Sequence, residues 1–303
     1  GTLTATAAGT VMLAGPLTAT GAGDAVVLSG SRFVNNAGAG ALSASGGRWL
    51  VWSSNANPFG GATPDNRGGL AYGFKQYNAI YGVTPVAQPT GNGFLYSLAP
   101  TIAPGLTGTV SKVYDATTSA PLVAANFTPT IGVDGDVVAM SGTGAYDNPN
   151  VAGSPTKLVT ATGITAAMTS SVADGSKPVY GYTLTSTTAS ANIGAITPAA
   201  LTVTGNTTSS GYTAAAQTNG FSTTGLLTGN GDSVTGVSGL ATRTNVGTTA
   251  DTLSAATGAG LGNYTISYAN GSLTITPAAL TVTGNATSSG YTAAAQTNGF
   301  STT

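Results

Sequence analysis

The chain has 303 residues and a net charge of −1, and only 6% of its residues are charged, against roughly 25% in an ordinary soluble protein. It contains no Cys, His or Glu, which excludes a Ser-His-Asp triad, a thiol nucleophile, a disulfide and a thiolate metal site. The scattered charges form no basic stripe for nucleic acid, and no run of about 18 apolar residues could insert into a membrane. Asp-based chemistry, a calcium site or no catalysis remain.

Short apolar segments separated by Gly, Ala and Asn fill the first part of the chain, residues 1–105. They read GTVMLAG, DAVVLSGSRFVNNAG and GGRWLVWSSN. Small residues at turns and recurring apolar positions are typical of the rungs of a parallel β-helix. The segment from Trp49 to Tyr96 is rich in aromatic residues, and we predict that it caps the open end of this solenoid.

Residues 106–200 are predicted to form a second, divergent β domain. Its apolar patches at Val137, Leu158 and Val179 are separated by Gly, Asp and Asn turns. The domain ends in the sequence ITPAA, which recurs 79 residues later. Because proline cannot donate a hydrogen bond to a strand ladder, we interpret Pro198 and Pro277 as stiff junctions between domains.

The strongest pattern is an internal duplication. Residues 196–224 and 275–303 are identical except that Thr207 corresponds to Ala286. We therefore predict a small β domain at 201–279 and the start of a truncated next repeat at 280–303, in a segment of a longer polypeptide. The alternative is a natural C-terminus whose last strand pairs with a neighbouring molecule.

A β-hairpin is predicted within the 201–279 domain, from Tyr264 to Thr276. The residues on both sides alternate between apolar and polar, and Asn270-Gly271 between them is typical of a type I′ turn with positive φ angles. Pro277 would end the second strand.

These segments resemble known families. KVYDATT resembles the Tyr-Asp-Gly signature of the YDG repeat, with Ala116 where Gly is usual. NGFSTTGLLTGNGDSVTGVSGLAT and GLGNYTISYANGSLTITPAAL resemble the MBG repeat. GGRWLVWSSN and GGLAYGFKQYNAIYG resemble the end of the β-helix in filamentous-haemagglutinin-type exoproteins. The resemblance implies an all-β chain in which a capped β-helix end is followed by β-sandwich-like or β-grasp-like domains, one YDG-like (106–200) and one MBG-like (201–279).

The same resemblance implies a large bacterial surface adhesin, exported by two-partner secretion through an outer-membrane transporter. The β-helix would be its shaft and the small domains its stalk. The expected partner is a glycan or protein of the host or matrix, or another copy of the chain, and such families carry no catalytic residue or cofactor. Two alternatives stay open: a self-assembling filament subunit with strand exchange between chains, and a polysaccharide-degrading β-helix enzyme that uses Asp24 and Asp65.

Aromatic side chains are the candidates for ligand binding, since they could stack against sugar rings. Clusters of this kind are more often buried core, so the prediction applies to the exposed members of the cap. The candidates are Trp52, Phe59, Tyr72, Tyr77 and Tyr81.

Carboxylates beside glycine form a second group of candidates. Val133-Asp134-Gly135-Asp136 resembles part of a calcium loop, but the EF-hand spacing and its terminal Glu are absent. We therefore predict a turn between strands here and no metal site. Four other aspartates are also interpreted as turn formers, namely Asp24, Asp147, Asp174 and Asp232.

Overall fold

The computed structural model describes residues 1–170 and 175–303, and Asp174 lies outside the described residues. The described chain consists of β-strands, turns and short 3-10 turns without any α-helix, which confirms the all-β prediction. In this part of the chain no helix is long and apolar enough to cross a membrane. The chain divides into two compact units: residues 1–112, 118–148 and 152–196 form the first, and residues 113–117, 149–151 and 197–303 form the second.

Stacked parallel strands begin the first unit. β1 pairs with β4 and β4 with β7, while β2 pairs with β5 and β3 with β6, all in parallel. Leu3 aligns with Val26 and Val26 aligns with Trp49, so partners are 23 positions apart. These strands are β1 (Leu3–Thr6), β2 (Thr10–Leu13), β3 (Leu17–Ala19), β4 (Gly23–Gly30), β5 (Arg32–Asn35), β6 (Leu42–Ala44) and β7 (Gly47–Ser53).

Two further strands, β8 (Phe74–Gln76) and β9 (Gly93–Tyr96), extend this sheet in the order β1-β4-β7-β9-β8. Both faces of the sheet are covered, because side chains alternate between its two sides. One side, the core face, packs in the cluster that contains Trp49. The other side, the loop-covered face, carries Leu50 and Trp52 and packs against Ala79 and Val86 of the following loop.

The rest of the first unit is mainly antiparallel. β13, β15, β16 and β17 pair in that order, and β16 also pairs with β19, which in turn pairs with β12. The bounds are β10 (Thr101–Ile102), β11 (Gly105–Leu106), β12 (Val110–Val113), β13 (Ser119–Ala120), β14 (Phe127–Thr128), β15 (Val137–Tyr146), β16 (Ala152–Thr169), β17 (Pro178–Tyr180), β18 (Thr183–Leu184), β19 (Ala189–Thr197), and 3-10 turns at Ala124–Asn126 and Val133–Gly135.

One sheet joins the first two predicted domains. β17 pairs in parallel with β8, with Val179 opposite Lys75 and Tyr180 opposite Gln76. Val179 also belongs to the core cluster of Trp49. The predicted boundary between 1–105 and 106–200 therefore falls inside one compact unit.

The second unit contains two three-stranded sheets, ordered β23-β20-β28 and β21-β29-β26. Its core includes Leu201, Val203 and Ile275, none of which is more than 1% exposed. Its elements are β20 (Ala199–Gly205), β21 (Thr207–Gly211), β22 (Gln217–Thr218), β23 (Phe221–Thr224), β24 (Gly236–Ser238), β25 (Thr242–Arg243), β26 (Gly247–Ala250), β27 (Ser254–Thr257), a 3-10 turn at Leu261–Asn263, β28 (Tyr264–Ala269), β29 (Ser272–Thr276), β30 (Val282–Gly284) and β31 (Phe300–Thr302).

The predicted hairpin between Tyr264 and Thr276 is wrong. β28 pairs in parallel with β20, and β29 pairs in parallel with β21, so the two halves of the predicted hairpin lie in different sheets. Asn270-Gly271 is the point at which the chain passes from one sheet to the other, and neither residue has a positive φ. A Cβ on Gly271 would collide with the carbonyl oxygens of Gly205 and Asn206. Glycine is needed here for close backbone approach rather than for a turn.

The prolines of the two predicted junctions lie at strand ends. Pro198 separates β19 from β20, and Pro277 follows the last residue of β29. The second copy of the duplicated segment contains the same local pairing as the first, since Val282 aligns with Thr302 as Val203 aligns with Thr223. Val282 is 59% exposed, whereas Val203 is fully buried.

Candidate functional site

The structure divides the five predicted ligand-binding aromatics into two groups. Trp52 and Tyr81 lie together on the loop-covered face, with ring centroids 5.6 Å apart in an edge-to-face arrangement. Phe59, Tyr72 and Tyr77 pack in the core cluster instead. Only Tyr81, which is 40% exposed, is a largely accessible ring, and Phe59 is partly buried.

A cavity of about 270 Å³ lies beside Trp52 and Tyr81. Besides these rings and the neighbouring Ala79 and Ile80, its walls are serine residues, and no charged side chain lines it in the described part of the chain. The indole N–H of Trp52 is buried and has no hydrogen-bond partner among the described residues. The serines are Ser29, Ser53, Ser54 and Ser97.

Strand register positions these walls. Ser29 of β4 lies directly opposite Trp52 of β7, so both side chains project from the same face of the sheet. Ser97 follows β9, and its N–H donates a 2.9 Å hydrogen bond to the carbonyl of Ser53. Serine and indole groups are therefore brought together by rungs that are 23 or more residues apart in sequence.

A turn holds Tyr81 over the cavity. The Ala79 N–H donates to the carbonyl of Tyr96 at 2.9 Å, which anchors the start of the loop to β9. The Thr84 N–H then donates to the carbonyl of Ile80 at 2.8 Å, and the Thr84 Oγ1 accepts from the Ile80 N–H at 3.0 Å. These bonds fix the position of the turn that carries the Tyr81 ring.

The core face contains a buried ion network. Lys75 is fully buried, and its Nζ lies 2.6 Å from Asp134 Oδ2 and 2.5 Å from Asp136 Oδ1. Arg67 binds the same Asp134 carboxylate with two hydrogen bonds of 2.8 and 3.1 Å. Tyr77 donates to Asp136 Oδ2 at 3.0 Å. The aspartates of the predicted turn are thus the anionic half of a closed network.

The electrostatics of this network follow from burial. Burial raises the pKa of Asp136 above its ordinary value, and the hydrogen bond and charge of Lys75 oppose that shift. Burial likewise raises the pKa of Tyr77 and of Tyr182, so both phenols stay protonated and donate to Asp136. Tyr182 also makes a 3.0 Å hydrogen bond to Asp136 Oδ2, which leaves that carboxylate fully surrounded.

Asp134 does lie in a turn, with φ of 54° in the 3-10 turn Val133–Gly135. Both carboxylates, however, face cationic side chains, an arrangement suited to an ion pair and not to calcium. Among the described residues no group of three or more acidic or other metal-ligating side chains could hold a metal ion. Sequence reasoning missed the network because Lys75 precedes Asp134 by 59 residues.

The remaining aspartates have separate partners. Asp24 pairs with Arg48 at 2.6 Å, and Asp147 pairs with Lys157 at 3.3 Å. Asp65 lines a different cavity from Asp24, so the two carboxylates proposed for polysaccharide cleavage do not share a site.

Asp232 was predicted to form a turn, but it is a buried hydrogen-bond acceptor in the second unit. Its Oδ2 accepts from the hydroxyls of Tyr114 at 2.6 Å and Tyr264 at 2.7 Å. Burial raises the pKa of Tyr264 to about 12, and the hydrogen bond to Asp232 adds to this. The Tyr of the KVYDATT segment is therefore part of a structural contact.

A YDG domain model matches residues 99–189. No curated protein and no solved structure matches the chain. The YDG domain contains Ala116, which stands where the signature has glycine and adopts a left-handed φ of 63°. This backbone conformation explains why glycine is usual at that position.

Proposed function

We propose that this chain is a structural and adhesive segment of a large extracellular surface protein of a bacterium. In this proposal residues 1–105 are the capped end of a parallel β-helix, the YDG domain follows, and residues 201–279 are an MBG repeat with the start of another at 280–303. The protein would reach the cell surface by two-partner secretion through an outer-membrane transporter.

The observation that carries the proposal is the stack of parallel strands in the first unit. Leu3, Val26 and Trp49 align at intervals of 23 residues, and two further pairs of strands repeat the pattern. Such stacking suits a shaft, because each layer contacts only its neighbours and the length can grow by repetition. The following YDG domain and the duplicated segment fit a stalk built of small units.

Adhesion would place the ligand at the Trp52–Tyr81 cavity, the accessible part of the aromatic cap. The test is attachment of beads coated with the full chain to surfaces coated with host-cell or matrix glycans and proteins, under flow. We expect coated beads to attach more than beads coated with heat-unfolded chain. Equal attachment of both would contradict the adhesive role, although the shaft role would stand.

Self-assembly into an extracellular filament is the second candidate function. The observation that favours it is the duplication, since a strand able to pair with β28 occurs twice, once as β20 and once in residues 280–303. Leu280 and Val282 are 70% and 59% exposed, while their counterparts in the first copy are fully buried.

Strand exchange between chains would make the molecular mass depend on concentration. We expect sedimentation over a hundredfold concentration series to show larger species for the native chain and fewer for Val282→Lys. A monomer at all concentrations would exclude this function without affecting the adhesive one.

A further inference from the structure

The cavity beside Trp52 and Tyr81 has the chemistry of a sugar site, and we propose that it binds one ring of a neutral carbohydrate. This inference rests on the proposed adhesive function and names the ligand class of that function. It does not concern the buried ion network, whose charges are paired with one another.

The first argument is the combination of an aromatic ring with hydroxyl groups. A pyranose has apolar C–H faces and a rim of hydroxyls that both donate and accept hydrogen bonds. Tyr81 presents a 40% exposed ring at the mouth of the cavity. Ser29 and Ser97 on the walls are partly exposed and carry hydroxyls that can pair with either kind of group.

The second argument is the unpartnered N–H of Trp52. Tryptophan is 6% exposed here, and its indole nitrogen has no acceptor among the described residues. A buried donor without an acceptor is unfavourable, and a buried Trp normally finds a partner for this group. A sugar hydroxyl in the cavity would supply the acceptor.

The third argument is charge and size. No ionisable carboxylate or cationic side chain lines the cavity in the described part of the chain, so neither a uronic acid nor an amino sugar cation would gain an ion pair. The volume of about 270 Å³ lies just below the roughly 300–1,000 Å³ of pockets for drug-sized ligands. One neutral ring of a longer glycan fits this size class.

The experiment uses the full chain and a panel of immobilised neutral oligosaccharides of glucose, galactose, mannose and N-acetylglucosamine. Binding is then quantified in solution by titration with tryptophan fluorescence as the signal. We expect saturable binding to at least one oligosaccharide. If none binds, the proposal is wrong.

Three variants locate the site. Tyr81→Ala should weaken binding about tenfold or more, because the stacking ring is lost. Ser97→Ala should weaken it roughly 3- to 10-fold through one lost hydrogen bond. Val83→Ala is the matched control, since Val83 is 75% exposed on the same loop but does not line the cavity.

Thermal unfolding of each variant checks that it is folded, and Ser97→Ala serves if Tyr81→Ala is not. Unchanged affinity in the folded cavity variants would overturn the assignment. Loss of affinity in Val83→Ala equal to that in Tyr81→Ala would also overturn it.

Bead attachment separates this proposal from the adhesive function itself. Attachment that is lost after periodate oxidation of the surface supports a glycan, and protease treatment then distinguishes a glycoprotein from a polysaccharide. Attachment that survives periodate indicates a protein ligand, which overturns the sugar site but leaves adhesion intact. Oligosaccharide binding without bead attachment supports the site and contradicts adhesion.

Discussion

The hydroxyl of Tyr114 donates a 2.6 Å hydrogen bond to the carboxylate of Asp232, 118 residues later in the chain. Tyr264 donates to the same oxygen at 2.7 Å, and the two phenol rings meet edge to face with centroids 5.5 Å apart. All three residues belong to the second compact unit, and Asp232 is 5% exposed. The signature tyrosine of the YDG domain thus contributes to cohesion of a unit that is mostly made of later sequence.

Tyr114→Phe should lower the free energy of unfolding by about 1.5–3 kcal/mol, because it removes a buried hydrogen bond to a charged group. Urea denaturation measures the change. Tyr212→Phe is the control, since Tyr212 is 40% exposed and should change stability by less than about 0.5 kcal/mol. A Tyr114→Phe loss no larger than the control would show that the bond contributes little.

Lys75→Met should destabilise the first unit by about 3–5 kcal/mol at pH 7, because it leaves the buried Asp136 without its ammonium partner. Burial already raises the pKa of Asp136 in the folded state. The folded state therefore binds more protons than the unfolded state between the ordinary and the raised pKa, so stability from this group falls as pH rises through that window. The variant should lose less at pH 4 than at pH 7.

Urea unfolding of the native chain and Lys75→Met at both pH values tests this sign. Lys75→Met/Asp136→Asn should recover part of the loss at pH 7, because the orphaned charge is gone. Arg48→Met, which breaks an ion pair at the surface, is the control and should cost less than about 1 kcal/mol. Equal losses for Lys75→Met at pH 4 and pH 7 would contradict the ionised state of Asp136.

Ala116→Gly should stabilise the protein by about 0.5–1 kcal/mol, contrary to the usual effect of glycine. The left-handed φ of 63° costs a residue with a Cβ roughly 1–2 kcal/mol, and the greater freedom of glycine in the unfolded chain offsets part of the gain. Ala56→Gly, at an exposed position without a positive φ, should lower stability instead. Thermal unfolding of both variants decides whether the turn is strained.

Gly271→Ala should destabilise the second unit by about 1–3 kcal/mol, because its Cβ would collide with two backbone carbonyls. Gly211→Ala is the control, since a Cβ there meets nothing within 4 Å. A type I′ hairpin turn would instead place Gly271 at a positive φ and would accept Asn at that position. Good tolerance of Gly271→Asn would contradict the crossing between sheets described above.

Local patterns in the sequence were sufficient to predict strands, the YDG domain and the strand end before Pro277. They were insufficient at Asn270-Gly271, because the same dipeptide serves a tight turn and a close crossing, and only the partner strands distinguish the two. The prediction of a hairpin assumed that neighbours in sequence pair, whereas β28 pairs with a strand that ends 59 residues before it begins.

The candidate site was predicted in composition but not in arrangement. Trp49 and Trp52 are three positions apart, and in a strand an odd separation places two side chains on opposite faces. That alternation was visible in GGRWLVWSSN and would have separated the core tryptophan from the one at the cavity. The pairing of Lys75 with Asp136 had no such signal, because both residues reach it through the tertiary fold.

The crossing at Gly271 also has a mechanical consequence. The second unit begins with β20 and ends with β29, and the parallel pairing joins Ala199–Thr204 to Tyr264–Ala269 and then Thr207–Gly211 to Ser272–Thr276. Tension applied through the two ends of this unit would pull adjacent parallel strands past each other. Their hydrogen bonds would be loaded in shear and would have to break together, so pulling along the chain meets the strongest direction of the sheet.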